Sequence, residues 1–267
     1  MPNFYWDEHA MQRDGESPTI LAIGDSWFWY PLLGGSLVNT LGRVVQSVPH
    51  TIFAKGMNGA EAFDYVDGKY AESVEVALHR YGAKLEAVFI SGGGNDFAGF
   101  NDLRPLLGDN CSAQVKAEGC FGAGLDRFLK NMDKYYRKLI GVIYTHTKLP
   151  CKIVMHTYAY AIPDGRGLLG SSKWLKPALE DAQVPAHLHQ ACVKYLLDRF
   201  HEMLTAICAN DPEHLLLVDS RNALAPEDWA NELHPTGQGF EKLAELYWRP
   251  VLEKAKLALP RTNYHWP

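Results

Sequence analysis

Nothing in this chain of 267 residues approaches the unbroken apolar run of roughly 18–20 residues that a helix needs to span a bilayer. Cysteine is scarce, at five, too few and too scattered for a disulfide scaffold. Cys111 and Cys120 bracket a short polar stretch and read either as a pair or as two free thiols. Positive charge is in deficit: 26 Lys and Arg against 31 Asp and Glu give a formal −5, with no Lys/Arg-rich run. Phosphate neutralisation dominates nucleic-acid affinity, so no nucleic-acid partner is expected. The opening MPNFYWDEHAMQRDGE is polar and acidic with no apolar h-region, unlike a secretory signal. Cytoplasmic residence is therefore the default expectation, with signal-less export left open. His-Glu-x-x-His, paired-cysteine zinc spacing, Gly-x-Gly-x-x-Gly and the phosphate-loop lysine are all missing, so neither a metal nor a nucleotide cofactor is expected.

What is present is an ordinary globular composition, 47% apolar and 21% charged, with enough apolar surface to offset the entropy of folding. Short apolar runs at Thr19–Ile23, Thr51–Ala54, Ala87–Ile90, Lys152–Met155 and Leu215–Val218 read as buried strands. Helical spacing fills the intervals: Ser36–Gln46, Glu61–Tyr81 with a break near Gly68, Leu125–Thr147, Pro185–Ala209, and Gly237–Leu259 bent at Pro250. Strands alternating with helices predict a parallel sheet covered on both faces. Right-handed crossovers then favour a three-layer α/β/α, flavodoxin-like sandwich with a five-stranded parallel sheet. A single domain over residues 1–267 is expected, with long loop insertions at about 97–124 and 159–184.

In such sheets ligands bind beyond the carboxyl ends of the strands. Those ends carry Gly24-Asp25-Ser26, the loop Gly56-Met57-Asn58-Gly59, Gly93-Gly94-Asn95-Asp96, His156-Thr157-Tyr158 and Asp219-Ser220. Ser26 follows its strand directly, which projects the hydroxyl toward that edge; the alternative is a helix cap. A serine needs a base at neutral pH, and imidazole is the usual one. His234, in Asn231-Glu232-Leu233-His234-Pro235-Thr236-Gly237, stands in a polar loop before the last helix. Asn95 carries a side-chain N–H suited to an oxyanion.

Taken together and in this order, Gly-Asp-Ser, a glycine after the second strand, Gly-Gly-Asn-Asp after the third and His-Pro before the last helix resemble the SGNH (GDSL-type) hydrolase family, of esterases and lipases. The likeness spans Ile20 to about Phe240. It implies Ser26 as nucleophile and His234 as general base. It also implies an oxyanion hole made of the Ser26 N–H, the Gly59 N–H and the Asn95 amide, with Gly56 as an alternative register for the glycine. Trp27 stands where that family usually has leucine.

One departure bears on the chemistry. The family's last motif is Asp-x-x-His, whereas the residue three before His234 is Asn231. Asparagine accepts a hydrogen bond from imidazole but supplies no negative charge. Asn231 is therefore one candidate partner of His234, and Asp228 and Glu232 are two others. The pocket is expected to be lined by Trp27, Phe28 and Phe97, with Trp29 beside them. Its roof is expected from Phe100, Leu103, Leu106, Leu107, Leu168, Leu169, Trp174 and Leu175 in the two long segments. The expected activity is cleavage of lipid, short-acyl or carbohydrate acetyl esters through an acyl-enzyme. The alternative is a catalytically impaired domain of the same fold that binds a ligand or carbohydrate.

Overall fold

The computed structural model describes residues 3–29, 35–148, 150–167 and 174–260. Its centre is a parallel sheet of β1 (Phe4–Tyr5), β2 (Ile20–Gly24), β3 (Ile52–Gly56), β4 (Ala87–Ser91), β5 (Lys152–His156) and β6 (Leu215–Val218), in the order β1-β3-β2-β4-β5-β6. Every pairing is parallel and in simple register: Ile20 faces Ile52 on one side and Ala87 on the other. Strands β2 and β4 are buried along their whole length, as continuous apolar runs demand when both faces are covered. The five strands read from the sequence take the flavodoxin-like order.

The sixth strand corrects the expected five. Phe4 and Tyr5 pair with Ile52 and Phe53 at the free edge of β3. Two residues are too short for hydrophobic periodicity to register, so only the tertiary pairing reveals them.

Between the strands lie α1 (Glu8–Arg13), α2 (Leu37–Val45), α3 (Ala71–Tyr81), α4 (Phe100–Leu103), α5 (Ala123–His146), α6 (Leu175–Asp181) and α7 (His189–Cys208), and after β6 come α8 (Gly237–Leu243) and α9 (Arg249–Lys254). Helices α3, α5 and α7 pack side by side, while α2 packs with α8 and the turn that follows it. This is the two-sided covering that right-handed crossovers from a central β2 produce. The break near Gly68 separates a 3₁₀ turn at Ala62–Tyr65 from α3. The bend at Pro250 takes the form of a π-helical turn, Ala244–Trp248, ahead of α9; Pro250 has no N–H to continue the regular ladder. Among the described residues, no helix is long and apolar enough to cross a membrane.

The chain steps from β2 outward to β3 and then returns past it to β4. The strand order therefore reverses between β2 and β4, and the crevice at their carboxyl ends is the place for a ligand. Ser26 follows β2 and Asn95 follows β4.

Candidate active site

Four loops meet at this edge. The first is the turn after β2. Its backbone winds tightly, with Phe28 and Trp29 N–H both donating to the Asp25 carbonyl, at 3.1 and 2.9 Å. Gly24 makes the turn possible: a Cβ there would stand 2.8 Å from both Cβ and O of Ser91 and 2.7 Å from Phe28. The Asp25 carboxylate accepts from Trp27 N–H at 3.0 Å, from Ser91 Oγ at 2.8 Å and from the Tyr158 hydroxyl. Burial pushes this carboxyl up to about 6, against the pull of those donors. The turn is thus held from beneath, and Ser26, 5% exposed, is presented at its crest.

The last loop, before α8, brings the imidazole. His234 Nε2 lies 2.8 Å from Ser26 Oγ, across 208 residues of sequence. Asn231 Oδ1 lies 3.1 Å from His234 Nδ1 and also accepts from Leu233 N–H at 3.0 Å and His234 N–H at 2.9 Å. Two backbone donors on one amide oxygen fix which way the amide faces, so Nδ1 must carry its hydrogen and donate. Nε2 is then left bare to accept from Ser26. Thr236, capping α8 through Gly239 N–H at 3.1 Å, stops the loop two residues after the histidine.

The other candidate partners of His234 are engaged elsewhere. Asp228 bonds Lys242 Nζ and Ala225 N–H, each at 2.8 Å. Glu232, fully buried, accepts from the backbone N–H of Gly165, Leu175 and Lys176. Asn231 presents an amide rather than a carboxylate to the imidazole, and burial pushes His234 down to about 4. The ring is therefore neutral at physiological pH, the form a general base requires.

The remaining loops carry N–H groups. The N–H groups of Ser26 and Gly59 have no protein acceptor among the described residues. Gly59 sits at φ +77°, in the left-handed region that glycine enters without strain. Asn95 spends one amide hydrogen on Ala60 O at 2.9 Å, which ties it to the Gly59 turn and leaves its second hydrogen available. Gly94 N–H donates to the Tyr158 hydroxyl at 3.0 Å, and Trp27 Nε1 donates to Leu233 O at 2.9 Å. The loops are thus bonded to one another, a preorganisation of the kind that oxyanion stabilisation requires. Asp96, next to Asn95, accepts from Ala62 N–H at 2.9 Å; burial pushes it up to about 7.

Beside Ser26 is a cavity of about 30 Å³, walled by Trp27, Phe97, Tyr158, Leu197, Trp229 and Leu233 among others. Trp27 and Phe97 are among its lining residues. Phe28 is not: it is wholly buried, stacked on His156 and against Trp248. The tight turn that lifts Ser26 points the side chain two residues on toward the core. Trp29 packs edge-on against Trp6 instead. Leu103, Leu106, Leu107 and Leu175 are buried without lining this cavity, Phe100 is exposed, and Trp174 stands edge-on to His234 with ring centroids 6.1 Å apart. Leu168 and Leu169 lie outside the described residues. Tyr158 belongs to a strand end that the sequence marks, whereas Leu197 and Trp229 carry no such signal; folding brings the three to one wall. Cys111 and Cys120 are buried free thiols. Among the described residues, no group of three or more His, Cys, Asp or Glu is placed to hold a metal ion.

No protein-family model matches the chain, and no curated protein matches it by sequence. Its fold is shared with solved structures. A lipase from a goat rumen metagenome, Lip_vut3, is 12% identical with a TM-score of 0.57, over 91% of this chain and 99% of that one. An extracellular lipase from Streptomyces rimosus is 16% identical with a TM-score of 0.57, over 90% and 100%. A carbohydrate acetylesterase family member from Sinorhizobium meliloti is 15% identical with a TM-score of 0.52, over 89% and 98%. The likeness is one of fold and extends over nearly the full length of each chain.

Proposed function

We propose that this protein is a serine hydrolase of SGNH type that cleaves carboxylic esters through an acyl-enzyme. The observation that carries the reading is the relay Asn231 Oδ1, His234, Ser26 Oγ, closed at 3.1 and 2.8 Å. The lipases and the acetylesterase that share the fold support it.

Ser26 Oγ attacks the ester carbonyl as His234 Nε2 takes its proton. Negative charge collects on the carbonyl oxygen, where the N–H groups of Ser26 and Gly59 and the free amide hydrogen of Asn95 receive it. His234 returns the proton to the departing alkoxide, leaving the acyl group on Ser26. Water then attacks with His234 again as base, and the acid is released. Asn231 holds the tautomer in place of an acid. Its oxygen is pinned by two backbone amides, so the orientation is kept and only the charge is missing. A fluorophosphonate probe tests the reading: stoichiometric labelling that needs both Ser26 and His234 is expected. Protein that stays unlabelled is the ligand-binding alternative.

The missing charge sets the pH profile. The base works as neutral imidazole, so activity falls as pH drops through the pKa of His234. With that pKa held near 4, kcat/KM is expected to stay level from neutral pH down to about 5 and then decline. In Asn231→Asp a carboxylate favours imidazolium, and the acid limb should rise by about one to three pH units. Measured pH–rate profiles of the two proteins check this; a wild-type limb already near 6.5 contradicts it.

The cavity sets the acyl group. About 30 Å³ admits one or two waters or the methyl of an acetyl group. An octanoyl chain seated wholly within this cavity would push aside Phe97, Trp229 or Leu197, and overpacking of that kind costs about 1–3 kcal/mol. Acetyl esters are therefore the proposed substrates. A p-nitrophenyl ester series should favour acetate over octanoate by about tenfold or more; equal rates would show that the wall yields.

A further inference from the structure

The loop that bears His234 is a small rigid hairpin. Ala230 and Asn231 N–H both donate to His234 O, at 2.9 and 3.4 Å, and Trp229 bridges Pro235. Bonded within itself, it must move as a unit, so the imidazole lies wherever the hairpin is anchored. On the Ser26 side the anchor is Trp27 Nε1 on Leu233 O. On the other side stands Glu232, 0% exposed. Its Oε1 accepts from Gly165 N–H at 2.9 Å and Lys176 N–H at 3.2 Å, and its Oε2 from Leu175 N–H at 3.1 Å. Its own N–H donates to Arg166 O at 3.0 Å, and Arg166 Nη1 donates to Trp229 O at 3.1 Å. Leu175 and Lys176 open α6, whose first amides have no partner within the helix. One buried carboxylate therefore ties Gly165 and the opening turn of α6 to the hairpin.

We infer that Glu232 is a positioning residue: by tying Gly165 and the start of α6 to the His234 hairpin, it fixes the imidazole against Ser26. The inference rests on the Ser–His reading above. Glu232 acts by geometry: both its carboxylate oxygens are aimed at the amides of Gly165, Leu175 and Lys176. Burial pushes the Glu232 carboxyl up, Asp164 adds to that push, and the three amides pull it down. Asp164 is itself paired with Arg166, and Lys176 with Glu180, so among the described residues the three amides remain its direct partners.

The test is Glu232→Gln, with kcat and KM for p-nitrophenyl acetate taken per phosphonate-titrated active site. A glutamine has one acceptor oxygen and turns an NH₂ toward donors that need an acceptor. The expected result is a fall in kcat of about ten- to a hundredfold, the scale of an ångström-sized misplacement. KM and the midpoint of the acid limb should hold, and amide exchange should quicken at Gly165, Leu175 and Lys176 but not in β4. Unchanged kcat per titrated site overturns the inference, and so does an acid limb that moves, which would make the carboxylate an electrostatic partner of His234. If Glu232→Gln does not fold, Arg166→Ala removes an exposed strut of the same joint and should lower kcat in the same direction; unchanged kcat there overturns the inference equally. Wild-type protein inert to the phosphonate would instead remove the Ser–His reading itself.

Discussion

Replacing Ser26 by alanine is expected to lower kcat on p-nitrophenyl acetate by about 10⁵–10⁶-fold and to abolish phosphonate labelling. His234→Ala should cost nearly as much, and the double variant little more than either alone. In the proposed mechanism hydroxyl and imidazole form one unit: across 2.8 Å the proton would leave Oγ as Nε2 receives it, and either partner alone would be idle. The residual rate should come from the N–H donors, which still polarise the carbonyl toward water. Steady-state rates of the three variants, with circular dichroism to show that each is folded, check this. Ser26→Ala retaining activity within tenfold of wild type would place the nucleophile elsewhere.

Backbone pattern and side-chain direction are legible in the sequence to different degrees. Strands such as Ala87–Ile90 were legible because a parallel sheet needs unbroken apolar runs, and its edge needs glycines and small polar residues at fixed places. The meeting of Ser26 with His234 followed from topology: strand ends of a doubly wound sheet converge on one edge. The direction of individual side chains did not follow. Trp27 and Phe28 are adjacent aromatics, yet one walls the cavity and the other is buried beneath it, a difference set by the winding of the turn on Asp25 O. Likewise Asn231, Asp228 and Glu232 were three candidate partners for one imidazole. The asparagine oxygen takes the two following amides and curls the loop, which aims Nδ1 at residue 231 and sends the side chain of 232 outward to α6. A short polar residue that bonds amides two and three positions on has that effect wherever it occurs. Here it sets which side chain faces the imidazole.

The second large effect is expected at Asn95. Asn95→Ala should lower kcat by about 10²–10³-fold, the cost of one oxyanion donor, with KM little changed because the donor is aimed at charge that develops only in the transition state. Asn95 differs from the backbone donors in one respect: its amide also holds Ala60 O and so braces the Gly59 turn. The alanine variant therefore removes one donor and loosens another. Asn95→Asp shares both losses, since a carboxylate donates to neither oxygen, and adds repulsion of the oxyanion; its kcat should fall below that of the alanine variant. Were Asn95 merely a brace, the two variants would fall alike and KM would rise with them. The ordering of kcat, Asn above Ala above Asp at constant KM, is thus the signature of an amide that faces the reacting oxygen.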